Sequence, residues 1–149
     1  MAIEDEIRAA EERLGLRLPA SYRRQLLASE GLPGEHGLAL LPVHEIESFA
    51  QLQPDWLAGW MEGYRSVAGD SIPAEQLPDD PNDPATMPAE QLGDTIVVST
   101  TADMRVLLIN PARIDAAGEW EAWDFATWYP GAYRYRSFAH LAEALAFEP

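Results

Sequence analysis

Glu11-Glu12-Arg13-Leu14-Gly15-Leu16-Arg17-Leu18-Pro19-Ala20-Ser21-Tyr22-Arg23-Arg24-Gln25-Leu26-Leu27 contains the end of one helix, a link and the start of another. Upstream, Ile3, Ile7, Ala10 and Leu14 recur at the spacing of one helical face. Glu4, Asp5 and Glu6 stand in the first turn and Arg13 in the last, where the helix dipole favours those charges. Gly15 follows at once, as a residue that ends a helix does. Leu16 and Leu18 form a short extended link, and Pro19 has the fixed φ and missing N–H that suit a first helical turn. The second helix carries Tyr22, Leu26 and Leu27 inward and stops at Gly31. The spacing predicts a helical hairpin.

Beyond the turn-rich Pro33-Gly34-Glu35-His36-Gly37, the run Leu38 to Leu41 is short, apolar and closed by Pro42, as a strand would be. Helical spacing then returns, first in Ile46, Phe49 and Ala50, then in Trp56, Leu57, Trp60, Met61 and Tyr64 from a start near Pro54. Thr95 to Ser99 and Met104 to Ile109 are β-branched and apolar, which predicts an antiparallel hairpin ended by Asn110-Pro111. After a turn at Asp115 to Gly118, Trp120 to Phe125 is a third strand. Ser137 is an N-cap for a last helix with Phe138, Leu141, Ala142 and Leu145 on one face. The class is α+β: an N-terminal helical hairpin and a C-terminal helix flanking a small, mainly antiparallel sheet.

Residues 66–92 differ in composition, with Pro73, Pro78, Pro81, Pro84 and Pro88 set among Asp70, Glu75, Asp79, Asp80, Asp83 and Glu90. Few apolar groups here repay ordering. Pro-Ala-Glu-Gln-Leu occurs from Pro73 and again from Pro88, each copy reading as a helical turn opened by proline. The stretch is read as a surface insertion within a single domain spanning 1–149, because the strands after it need the earlier helices to cover them.

The segment 11–27 resembles the N-terminal signature of the SUKH superfamily, which contains bacterial immunity proteins and the fungal cell-wall assembly regulator. Leu38-Ala39-Leu40-Leu41-Pro42, the strand pair around Ile96 and Leu108, the tryptophan strand and Ser137-Phe138 follow in the same order. The resemblance implies a helix-flanked antiparallel sheet that binds and neutralises a bacterial toxin, nucleases among them, or serves as a regulatory protein-interaction module with no toxin partner. It supplies no catalytic motif and no transferable contact residue.

The charge balance is strongly acidic. Twenty-five Asp and Glu stand against ten basic residues, all arginine, for a formal net charge of −15 over 149 residues. Nucleic acid and anionic membranes repel such a surface, whereas a basic protein partner is steered toward it. The same charge also serves solubility alone. With no cysteine, the chain has neither disulfides nor thiolate metal sites. The N-terminus reads as an acidic helix rather than a secretory signal, and no apolar run approaches the roughly 20 residues that span a bilayer, so the expected compartment is the cytoplasm.

His36, His44 and His140 lie far apart, and Asp79-Asp80-Pro81-Asn82-Asp83 lacks the glycine and distal glutamate of a calcium loop, so neither a metal nor a cofactor is expected. The sequence has no Gly-x-Ser-x-Gly elbow, phosphate loop or dinucleotide fingerprint, and the expectation is a non-enzyme; an unrecognised carboxylate site is the remaining alternative. Candidate protein contacts are Asp79, Asp80 and Asp83 as acidic bait, with Trp56 and Trp60 as either a core stripe or a binding stripe. Trp128 and Tyr129 either face an interface or roof the core. Alternation places Trp123 with Phe125 inside and Trp120 with Asp124 on the other face, partly exposed and available for contact.

Overall fold

The first helix, α1 (Glu4–Leu14), ends where Gly15 takes the left-handed conformation at φ 67°. There the Leu16 N–H donates to the Glu11 carbonyl at 3.1 Å and the Gly15 N–H to that of Glu12 at 3.3 Å. The chain then doubles back into α2 (Ala20–Ala28). Glu11 holds the two helices together, accepting the Leu18 N–H at 2.8 Å and Arg23 Nη1 at 2.8 Å. The computed structural model describes residues 3–28, 38–68, 89–126 and 132–145. The expected stop at Gly31 lies outside them.

Five antiparallel strands follow in simple order: β1 (Glu47–Ser48), β2 (Ile96–Val97), β3 (Arg105–Ile114), β4 (Trp120–Ala126) and β5 (Ala132–Tyr135). Between β1 and β2 come α3 (Phe49–Leu52), α4 (Pro54–Ala68) and a 3-10 helix (Ala89–Asp94), and α5 (Phe138–Ala144) closes the order. The spine of the sheet is the β3–β4 pair, with Leu108 opposite Trp123 and Ile109 opposite Ala122. Ala102 and Arg105 exchange both backbone hydrogen bonds across the β2–β3 turn, which leaves Asp103 and Met104 at φ 51° and 59°.

Both faces of the sheet are covered. On one, Ile96, Val98, Leu107, Ile109, Trp120 and Ala122 pack with Ile7, Ala10, Tyr22, Leu26, Phe138 and Leu141 from α1, α2 and α5. On the other, Val97, Val106, Leu108, Trp123 and Phe125 pack with Phe49, Leu92 and the inner side of α4. A strand covered on both faces reads as an unbroken apolar run, which is why Val106-Leu107-Leu108-Ile109 does not alternate.

The α+β class, the hairpin of helices and the terminal helix capped by Ser137 match the expectation. Four details differ. Leu38 to Leu41 makes one bridge, Leu40 to Ser99, with the Leu41 N–H on the Val98 carbonyl at 2.9 Å, rather than a continuous strand. Ile46 lies before β1 instead of in a helix, and the helix there is only Phe49–Leu52. β3 runs past Asn110-Pro111 because the strand bulges: Asn110 pairs with Glu121 and Ile114 with Trp120, so Pro111, Ala112 and Arg113 have no opposite residue. A proline at a bulge removes no ladder bond. Finally, β5 has no counterpart among the expected elements, although Ala-Tyr-Arg-Tyr alternates as an edge strand does.

The ends of the proline-rich segment are helical. Residues 66–68 continue α4, and the second Pro-Ala-Glu-Gln-Leu copy leads into the 3-10 helix, where Leu92 is fully buried. Gly93 lets this helix sit tightly on its neighbours, since a Cβ there would lie 3.2 Å from Leu57 Cδ2.

Candidate protein-interaction surface

Internal ion pairs occupy several arginines. Arg23 binds Glu4 at 2.7 Å and Glu11 at 2.8 Å, and the hydrogen bond it donates to Glu11 raises its pKa. Arg13 joins α1 to the sheet edge through Glu47 at 3.0 Å and the Ile46 carbonyl at 3.0 Å. Arg105 grips Asp124 with two bonds of 2.8 and 2.7 Å, and Arg134 grips Glu121 with bonds of 2.7 and 2.9 Å. Glu119 ties α2 to the β3–β4 turn by accepting the Ser21 N–H at 3.0 Å near the helix N-terminus.

What these pairs leave over is unevenly distributed. Residues 43–104 contain twelve acids and a single arginine, Arg65. In the structure this segment supplies α3, α4 and the 3-10 helix, the layer over one sheet face. Asp55 and Glu62 on α4 and Glu90 and Asp94 on the 3-10 helix are exposed and have no partner among the described residues. Gly59 and Gly63 lie on the outer side of α4, where nothing approaches within 4 Å of an added Cβ. The result is a helical layer whose exposed charges are acidic. The four carboxylates contribute a negative potential that attracts cations at long range.

The expected contact residues divide into three groups. Trp56 and Trp60 are partly buried and turn onto the core: their rings lie 5.6 and 5.4 Å from that of Phe125, and Trp56 also meets Phe49 at 5.2 Å. Trp120 and Asp124 are each only 3% exposed. For Trp120 this corrects the expected partial exposure, because α1, α2 and α5 cover the face assumed open; Asp124 likewise lies inside, bonded to Arg105. Asp79, Asp80, Asp83, Trp128 and Tyr129 lie outside the described residues. Among the described candidates, Trp56 and Trp60 come together on Phe125 in the core, and Trp120 and Asp124 lie in the interior. The acidic α4 face was missed because the whole-chain charge conceals its concentration in 43–104; a windowed charge count finds it.

The histidines differ in setting. His44 and His140 are exposed, with His140 Nδ1 2.7 Å from the Ser137 hydroxyl, and His36 lies outside the described residues. No helix among the described residues is long and apolar enough to cross a membrane. No curated protein and no solved structure matches the chain. A family model, that of the SMI1 / KNR4 family (SUKH-1), matches residues 1–129. That span runs from the hairpin of helices through the whole of β4, and with it the chain belongs to the SMI1 / KNR4 family (SUKH-1).

Proposed function

We propose that this chain is a cytoplasmic immunity protein, a non-catalytic inhibitor that binds a cognate bacterial toxin and neutralises it. Family membership supports a non-catalytic immunity or regulatory domain in general. The observation that carries the finer reading is the exposed acidic layer of α4 and the 3-10 helix, whose Asp55, Glu62, Glu90 and Asp94 have no partner among the described residues. Unpaired like charges on one face cost stability through mutual repulsion, and a basic partner relieves it while being captured at a steered rate. A nuclease fits this chemistry, because its phosphate-binding cleft is basic. Asp79, Asp80 and Asp83 belong to the same acidic segment, and in this reading they extend the bait.

The experiment is affinity capture from native lysate at low and moderate salt, with mass spectrometry of what binds in equimolar amounts, followed by an activity assay of the captured protein. A basic toxin that is weakened in binding as salt rises and inhibited by the chain supports the reading. Retention of endogenous cytoplasmic proteins with no toxin activity refutes it in favour of a regulatory domain.

A further inference from the structure

Within this acidic chain, an open cleft of about 900 Å³ collects Arg113, Arg134 and Arg136 with His140, Tyr135 and Gln91. It lies where β3 bulges, and Gln91 reaches it from the 3-10 helix between Glu90 and Asp94. Asp115 and Glu121 also line it, and both accept hydrogen bonds within the fold. Glu121 accepts Arg134 Nε at 2.7 Å, Arg134 Nη2 at 2.9 Å and the Trp123 indole N–H at 3.0 Å. Asp115 Oδ1 accepts the Ala117 N–H at 2.8 Å and the Glu119 N–H at 3.0 Å, closing its own turn.

The donors are held differently. The bulge displaces Arg113 from the β4 register, and Gln91 Oε1 accepts its Nε at 3.4 Å together with Asn110 Nδ2 at 3.0 Å. That use of the carbonyl oxygen leaves the two amide hydrogens of Gln91 without a partner among the described residues. Asn110 is itself fixed, its Oδ1 taking the Ala112 N–H at 3.0 Å inside the bulge. Arg136 is exposed and has no partner among the described residues. Two guanidinium groups and an amide facing one space are a donor set for an oxyanion, and the volume is in the range of small-ligand sites, roughly 300 to 1,000 Å³.

We propose that this cleft binds a small ligand bearing a carboxylate or phosphate group, with Arg113, Arg136 and the Gln91 amide as its donors and the Arg134–Glu121 pair as a rigid floor. The site stands on the cleft alone and does not depend on the toxin reading. Its test is a titration of the whole chain with inorganic phosphate, and separately with citrate, at an ionic strength held constant with sodium chloride and followed by nitrogen-15 NMR. The expected result is a saturable shift confined to the Gln91 amide, the Arg113 and Arg136 Nε–H groups and their neighbours, half-complete at or below about 1 mM. Arg136→Gln, at an exposed position, weakens binding by about tenfold with the rest of the spectrum unchanged, and adding Arg113→Gln weakens it further. Saturation by phosphate alone assigns phosphate-bearing ligands, saturation by citrate alone assigns carboxylates, and saturation by both assigns a general oxyanion site. Shifts that never saturate, that fall equally on Arg8, Arg17 and Arg24, or that persist unchanged in the variants overturn the proposal.

Discussion

Trp120 and Trp123 point to opposite faces of β4, and both are buried, Trp120 against α1, α2 and α5 and Trp123 in the cluster under α3 and α4. Two large rings three residues apart thus anchor two separate layers of helix to one strand. Replacing either by alanine removes the same kind of contact from different halves of the molecule. Each of Trp120→Ala and Trp123→Ala is expected to lower the free energy of unfolding by about 3 to 5 kcal/mol, measured by urea denaturation. A loss below about 1 kcal/mol at Trp120 contradicts its placement in the interior.

The Arg105–Asp124 pair bridges β3 and β4 with side chains only 17% and 5% exposed. Asp124→Asn leaves a largely desolvated guanidinium facing a neutral amide, and about 3 kcal/mol of stability is expected to be lost. Joint replacement by Arg105→Met and Asp124→Leu is expected to recover most of that loss, because it removes both charges together. If the joint variant is as unstable as Asp124→Asn, packing rather than the uncompensated charge is responsible.

Tyr22 is fully buried, and its hydroxyl has no hydrogen-bond partner in the described structure. Burial pushes its pKa upward, so the folded chain keeps the proton at pH values where an unfolded tyrosine, with its ordinary value of about 10, gives it up. The associated stability is complete below that value and falls as pH rises above it. Tyr22→Phe is expected to be neutral or slightly stabilising at pH 7, since it removes a buried donor that bonds to nothing. Urea denaturation at pH 9 and pH 11 is expected to show a smaller loss of stability in the variant than in the parent chain. An equal loss in both chains would falsify the assignment of alkaline sensitivity to Tyr22.

Asp55, Glu62, Glu90 and Asp94 are exposed and have no partner among the described residues. The joint variant Asp55→Asn, Glu62→Gln, Glu90→Gln and Asp94→Asn is expected to keep the parent's stability to within about 0.5 kcal/mol per site. Its association rate with a basic partner is expected to fall about tenfold at low salt and to lose most of its salt dependence. Stopped-flow association across a salt series reads both quantities.

Much of this fold is legible in the sequence where backbone chemistry punctuates it. Gly15 and Pro19 fix one helix end and the next start, and helical spacing assigns Ile7, Ala10, Tyr22 and Leu26 to the interior. Ser137 marks α5 by the same logic, accepting the His140 N–H at 3.3 Å. What escaped is set by tertiary context. Alternation along β4 predicts two unlike faces but cannot tell that helices cover both, so Trp120 was assigned to a half-open surface. Asp124 resembles an interface acid until Arg105 arrives from the neighbouring strand. The Pro111 bulge defeats a rule that holds for regular ladders, and Arg113 within it lines the same cleft as Arg136, which no spacing in the sequence announces.

Neutralisation is tested by the activity of the purified cognate toxin titrated with the purified chain. Inhibition is expected to be complete at equimolar ratio, and the variant neutralised at Asp55, Glu62, Glu90 and Asp94 is expected to reach the same end point more slowly. Toxin activity that persists undiminished when the chain is saturating would contradict it, and would leave the acidic face as the docking surface of a regulatory domain.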